Sequence, residues 1–212
     1  MKEWSQHEPV GEDTAMCKDC GLPFFQYEDL RFEPKQFSIR LIKLHPARTS
    51  DADIVIELFK NDTERPLYDA VSWCWGKGGR IRPVRARCDG GDYCLRISEN
   101  LESALRHLRL TDKFRTLWVD AICIDQVNSV EKNKQVPMMS EIYGKAQRVC
   151  VWLGDGDGNS ARAIKFIKKN VLDLHSFDHI CQDDAFAEGW ISLVQFMERP
   201  WVSGSRGNKF HS

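Results

Sequence analysis

The longest strongly apolar run in the chain is Leu117-Trp-Val-Asp-Ala-Ile-Cys-Ile-Asp-Gln126, with polar stretches at 111–115 before it and 128–134 after it. Trp, Val and Ile favour a pleated strand. A near-continuous run of this length predicts a strand over Leu117–Ile124 covered on both faces, as in a parallel sheet between helices. Asp120 interrupts the run. A carboxyl group in a covered strand must be paired, hydrogen-bonded or protonated. Asp125 and Gln126 fall where the strand ends, at the carboxyl edge where open α/β sheets bind ligands.

The remaining pattern divides the chain into alternating elements. Period-two positions Ile39, Leu41, Ile54 and Ile56 predict half-buried strands over Ile39–Leu44 and Asp53–Phe59, joined by a short connection through Pro46. Tyr68–Gly76 reads as a further strand, closed by the glycines at 76, 78 and 79. Lys77-Gly-Gly79 lacks the spacing of a phosphate-binding loop and reads as a flexible turn. Ile81–Ala86 and Tyr93–Ile97 flank Asp89-Gly-Gly-Asp92, a hairpin signal. Ser98 caps a helix whose stripe is Leu101, Ala104, Leu105 and Leu108, leaving Arg106 and Arg109 in solvent.

Beyond the apolar run, Asn128 and Glu131 have capping-box spacing, with Glu131 read as a cap or solvated charge. The helix that follows runs to about Ala146, kinked or delayed by Pro137. Arg148–Leu153 predicts a buried strand. The Gly154–Gly158 loop lacks the ligand alternation of a calcium site. Asn159 or Ser160 caps a helix with Ala163, Ile164, Ile167 and Val171 inward, and a last helix buries Trp190, Val194 and Met197. Strands alternating with helices argue for an α/β fold with a parallel sheet flanked by helices and additional N-terminal strands.

Bulk properties narrow the function classes. The chain has 212 residues, 42% hydrophobic and 29% charged, which suits one globular domain. Its formal net charge of -1 provides no field for nucleic acid. No apolar run is long enough for a membrane span, and residues 1–11 lack the apolar core of a signal peptide. The eight cysteines read as reduced thiols in a cytoplasmic protein. Cys17-Lys-Asp-Cys20 has zinc-knuckle spacing, but a structural site needs four ligands. The other candidates are His7 and the sequence-distant Cys88 and Cys94, so the reading is two free thiols in a mobile arm and no metal.

Four segments together resemble one family. They are Tyr68-Asp-Ala-Val-Ser-Trp-Cys-Trp-Gly76, Leu117–Gln126, Glu131 and Gln135 with Met138–Tyr143 and Ala146, and Val149-Cys-Val-Trp-Leu-Gly154. Asn100, Leu101, Ala104, Leu105 and Leu108-Arg109 match its connecting helix. This is similar to the fungal heterokaryon-incompatibility (HET) domain. The resemblance spans residues 36–201, leaving a polar arm at 1–35 and a disordered tail at 202–212. It implies a role in fungal nonself recognition that triggers cell death, sometimes as the effector part of a nucleotide-binding receptor. The family is distantly similar to the TIR domain, a flavodoxin-like fold, some members of which cleave NAD with a glutamate after self-association.

The family continues past Arg-Pro-Trp into Arg-x-Trp-x-x-Gln-Glu, whereas no Trp, Gln or Glu follows Trp201 here. The expectation is weak or no NAD hydrolysis, with the catalytic residues unassigned. Trp75, Gly76, Asp120, Asp125 and Gln126 are the candidate cofactor-binding residues, with NAD as substrate or ligand. Trp73 and Trp75 are either core or a ring-stacking surface. Asp125, Glu131 and Asp155 are the substitute carboxylates. The competing expectation is a non-catalytic module that self-associates or engages a receptor-type partner.

Overall fold

The structure, a computed structural model, describes residues 16–28, 30, 37–61, 63, 66–75, 79–172 and 177–203. Gly76, His7 and the segment after Ser203 lie outside the described residues. The chain divides into two compact units, Met1–Val151 and Trp152–Ser212.

The first unit is built on a seven-stranded sheet. Its strands are β1 (Ile39–Leu44), β2 (Val55–Asn61), β3 (Asp69–Ser72), β4 (Arg82–Cys88), β5 (Gly91–Ile97), β6 (Arg115–Trp118) and β7 (Arg148–Val151), in the order β5-β4-β2-β1-β6-β3-β7. The β6-β3-β7 end is parallel, as expected. The sheet as a whole is mixed, because β1 runs antiparallel to both β2 and β6. The fold is α/β, with helices α1 (Glu99–Leu108), α2 (Asp120–Cys123), α3 (Ser129–Gln135) and α4 (Met139–Lys145) in this unit.

Several elements form where local chemistry places them. The β4–β5 hairpin turns on Asp89 and Gly90, both at positive φ (47° and 79°), as a two-residue turn of right-twisted strands requires. Ser98 accepts from the Leu101 amide at 3.2 Å and caps α1, burying Leu101, Ala104 and Leu105. Pro137 separates α3 from α4.

The apolar run departs from expectation. Only Leu117 and Trp118 belong to β6; Asp120–Cys123 is a single helical turn, so Leu117–Ile124 is not one strand. A short apolar run does not distinguish a buried strand from a buried helical segment. Long-range side chains decide it here, by capping the turn. β7 is likewise not a buried strand but the sheet edge, with Val149 and Val151 exposed. β1 is buried on both faces rather than one. Arg106 and Arg109 are not free in solvent: their guanidinium groups donate to the carbonyls of Thr49, Ser50, Ala52 and Asp53 and pin the β1–β2 connection.

The second unit contains α5 (Gly158–Phe166), a wider turn at Ile167–Val171, α6 (Phe177–Gln182) and α7 (Ala187–Met197). The cap of α5 is Asp157 rather than Asn159 or Ser160, accepting from the Ser160 amide at 2.7 Å. Ala163 is buried, but Ile164, Val194 and Met197 are exposed, contrary to the inward faces expected. The α5–α7 contact is close because Gly189 has no Cβ: one placed there would lie 2.3 Å from the Phe166 ring.

Candidate functional site

The site lies where β3 and β6 end. Beyond Ser72, the chain carries Trp73 and Trp75 side by side, their rings stacked at 5.5 Å and 22°. Beyond Trp118, α2 turns Asp120 toward them. The Asp120 carboxyl group accepts from Trp73 Nε1 at 2.8 Å, Trp75 Nε1 at 2.9 Å and the Ala121 amide at 2.8 Å. The expectation that this buried acid is satisfied holds, with indole N–H groups as the partners beyond the backbone. Burial pushes its pKa up, and the three N–H donors oppose that only in part.

The turn beneath Asp120 is held by side chains from elsewhere in the first unit. A helix end leaves its last carbonyls without intrahelical partners. Here Gln126 Nε2 donates to the Asp120 carbonyl, Arg80 to Ala121, the Tyr27 hydroxyl to Ile122 and Arg40 to Cys123, at 2.8, 2.9, 2.8 and 3.3 Å. Burial raises the Tyr27 phenol pKa, which keeps its proton on as donor. The same effect pushes the Cys123 thiol up to about 12, so it is no nucleophile at neutral pH.

Arg40 is the second centre of this arrangement. Its guanidinium meets Glu131 in a bidentate pair, Nη1–Oε1 2.5 Å and Nη2–Oε2 3.0 Å, with both side chains buried. It also donates to the Glu28 carbonyl and lies 5.0 Å from the Tyr27 ring centroid. Glu131 also accepts from the Asp125 amide at 2.9 Å. The reading of Glu131 as a cap or solvated charge is therefore overturned. Asn128 does the capping, accepting from the Glu131 amide at 3.0 Å.

The predicted site residues are thus only partly assembled. Trp75, Asp120 and Gln126 converge on α2. Asp125 Oδ1 accepts from the amides of Val127 and Asn128 ahead of α3. Gly76 lies outside the described residues. Trp73 is core by burial and Trp75 is half-exposed, its ring 5.6 Å from the Arg80 guanidinium. A cavity of about 20 Å³, lined by Trp73, Trp75, Arg80, Ser98, Leu101 and Ala121 among others, opens beside them. That volume holds about one water. In the second unit, Asp155 lies in a loop whose Leu153 and Asp155 carbonyls accept from Arg199, at 2.9 and 3.2 Å.

Sequence reasoning missed Arg40, Arg80 and Tyr27. The one local signal was a charge at Arg40 within the otherwise apolar stretch Ile39–Ile42.

A family model described as Heterokaryon incompatibility protein (HET) matches residues 68–205. The chain belongs to the HET family. It is 33% identical over 184 residues to heterokaryon incompatibility protein 6, OR allele, of Neurospora crassa, covering 82% of this chain and 27% of that protein. The HET chain thus spans about a quarter of the length of the curated relative it matches. No solved structure matches it. The family match contains β3, α2, α3 and Arg199, whereas Tyr27 and Arg40 precede it. Among the described residues, no helix is long and apolar enough to cross a membrane.

Proposed function

We propose that this chain is a heterokaryon-incompatibility effector domain that promotes cell death on nonself contact. In this reading it acts in the cytoplasm, through self-association or a receptor-type protein partner rather than through its own chemistry. The observation that carries the choice is the state of the carboxyl groups near α2. Asp120, Asp125 and Glu131 all accept hydrogen bonds from within the protein, and the adjoining cavity is water-sized. A general base or a cation-stabilising carboxylate needs a free face toward substrate. A nucleotide pocket needs some hundreds of Å³.

The second reading is NAD binding or cleavage on a TIR-like sheet. It is favoured by the half-exposed Trp75 ring with Arg80 beside it, at the end of the parallel strand β3. An aromatic face and a guanidinium suit a nucleotide's ring and phosphate. Residues 36–201 are the working domain in both readings.

The test is induced expression in a filamentous fungus, scored by vital staining together with cellular NAD. Death at unchanged NAD supports the first reading. Death accompanied by NAD loss, with nicotinamide released by the purified chain, selects the second. Full viability at confirmed expression rejects the effector role.

A further inference from the structure

The Cys17–Cys20 pair does not stand alone. Folding brings Cys94 of β5 to it, and the three sulfur atoms lie within 4.8 Å of one another. All three are free thiols. A tetrahedral zinc centre with Zn–S of about 2.3 Å sets its sulfurs about 3.8 Å apart. The three thiols therefore need to close by less than about 1 Å to share one ion.

The backbone around them is already arranged for this. Residues 17–21 form a tight turn, with the Gly21 amide donating to the Cys17 carbonyl at 2.8 Å and Gly21 at φ 69°. Cys94 is held against the turn by two backbone hydrogen bonds, Cys94 N to Pro23 O at 2.7 Å and Phe25 N to Cys94 O at 2.9 Å. Arg96 donates to the Cys17 sulfur at 3.6 Å and to Asp19 at 2.7 Å. A guanidinium directed at the sulfur is an outer-shell partner of the kind thiolate ligands use. Soft thiolates at this spacing select zinc over the hard cations.

We infer that Cys17, Cys20 and Cys94 form a structural zinc site that clips the 16–28 segment onto β5. Binding displaces the thiol protons to solvent. Three thiolates and Zn²⁺ sum to one negative charge, which Arg96 faces, and a water molecule takes the fourth position. The clip has a consequence for α2, because the same segment delivers Tyr27 to the Ile122 carbonyl and Glu28 to Arg40.

The full chain, purified under reducing conditions without chelator, is to be assayed for zinc by elemental analysis. One equivalent per chain is expected, lost in Cys94→Ser and Cys20→Ser and kept in Cys88→Ser and Cys181→Ser. To separate loss of zinc from loss of fold in Cys94→Ser, the unmodified chain provides a second readout. Zinc should protect Cys17, Cys20 and Cys94 from alkylation, as mapped by mass spectrometry, and cobalt should give a thiolate charge-transfer band. Less than about 0.1 equivalent at saturating zinc, alkylation unaffected by zinc, or a disulfide among the three would overturn the site.

Discussion

Replacing Asp120 with alanine removes the acceptor of three N–H groups at once. Trp73 is 7% exposed, and the Ala121 amide lies in a buried turn, so both donors are largely withdrawn from bulk water. Each buried donor left unsatisfied costs about 1–3 kcal/mol. The half-exposed Trp75 rehydrates at little cost, so the total is about 2–6 kcal/mol. For a chain of this size, each kcal/mol moves the melting temperature by about 2–4 °C, so the drop should be no less than about 4 °C. Differential scanning fluorimetry measures it, and near-ultraviolet circular dichroism reports the loss of the stacked indoles. A melting temperature within about 1 °C of the parent, with the dichroism unchanged, refutes the claim that Asp120 holds the tryptophans. Asp120→Asn keeps one acceptor oxygen and should lose less.

The sign of the pH dependence follows from the raised pKa of Asp120. The native state holds this proton more tightly than the unfolded chain, so its contribution is present below about pH 4 and is lost as pH rises through the native pKa. The stability of the parent relative to Asp120→Asn should fall across that window; a difference that grows with pH would show that the N–H donors outweigh burial. Glu131→Gln leaves Arg40 buried without its charge partner and should cost about 3–5 kcal/mol by urea unfolding. Arg40→Met with Glu131→Met should cost less than the sum of the two single changes, and strict additivity would remove the pair as a unit. In the second unit, Gly189→Ala drives a methyl group into the Phe166 ring and should cost about 1–3 kcal/mol, seen as faster amide exchange in α5 and α7.

What was legible in the sequence was local. The Asp89–Gly90 hairpin, the Ser98 cap and the break at Pro137 each follow from short patterns, and the parallel sense of β3, β6 and β7 follows from the alternation of strands and helices. Asp120 was legible as an anomaly, since a lone carboxyl group in an apolar run demands partners. The helical turn at 120–123 was not, because its caps come from Tyr27, Arg40 and Arg80, which lie 95, 83 and 41 residues away. A separation of that order also led Cys94, a named candidate, to be discounted as a partner of the Cys17–Cys20 pair. The β7 edge was misread because Val149 and Val151 have strand propensity whether or not a neighbour covers them. The Glu131 carboxyl group was misread because a first-turn acid looks the same when it caps and when it meets an arginine from β1.

The four caps on α2 also fix when that turn can form. A single helical turn is below the length at which helix formation sustains itself, so it has no independent existence in the unfolded chain. It becomes stable only once the distant segments carrying Tyr27, Arg40 and Arg80 have all arrived. Closing loops of that length precedes any reward from the contacts, which places the turn late on the folding route. Changes at Asp120 or its capping side chains should therefore leave the refolding rate nearly unaltered and show themselves as faster unfolding. This turn, inside the segment that matches the HET family model, then governs how long the native state lasts rather than how quickly it is reached.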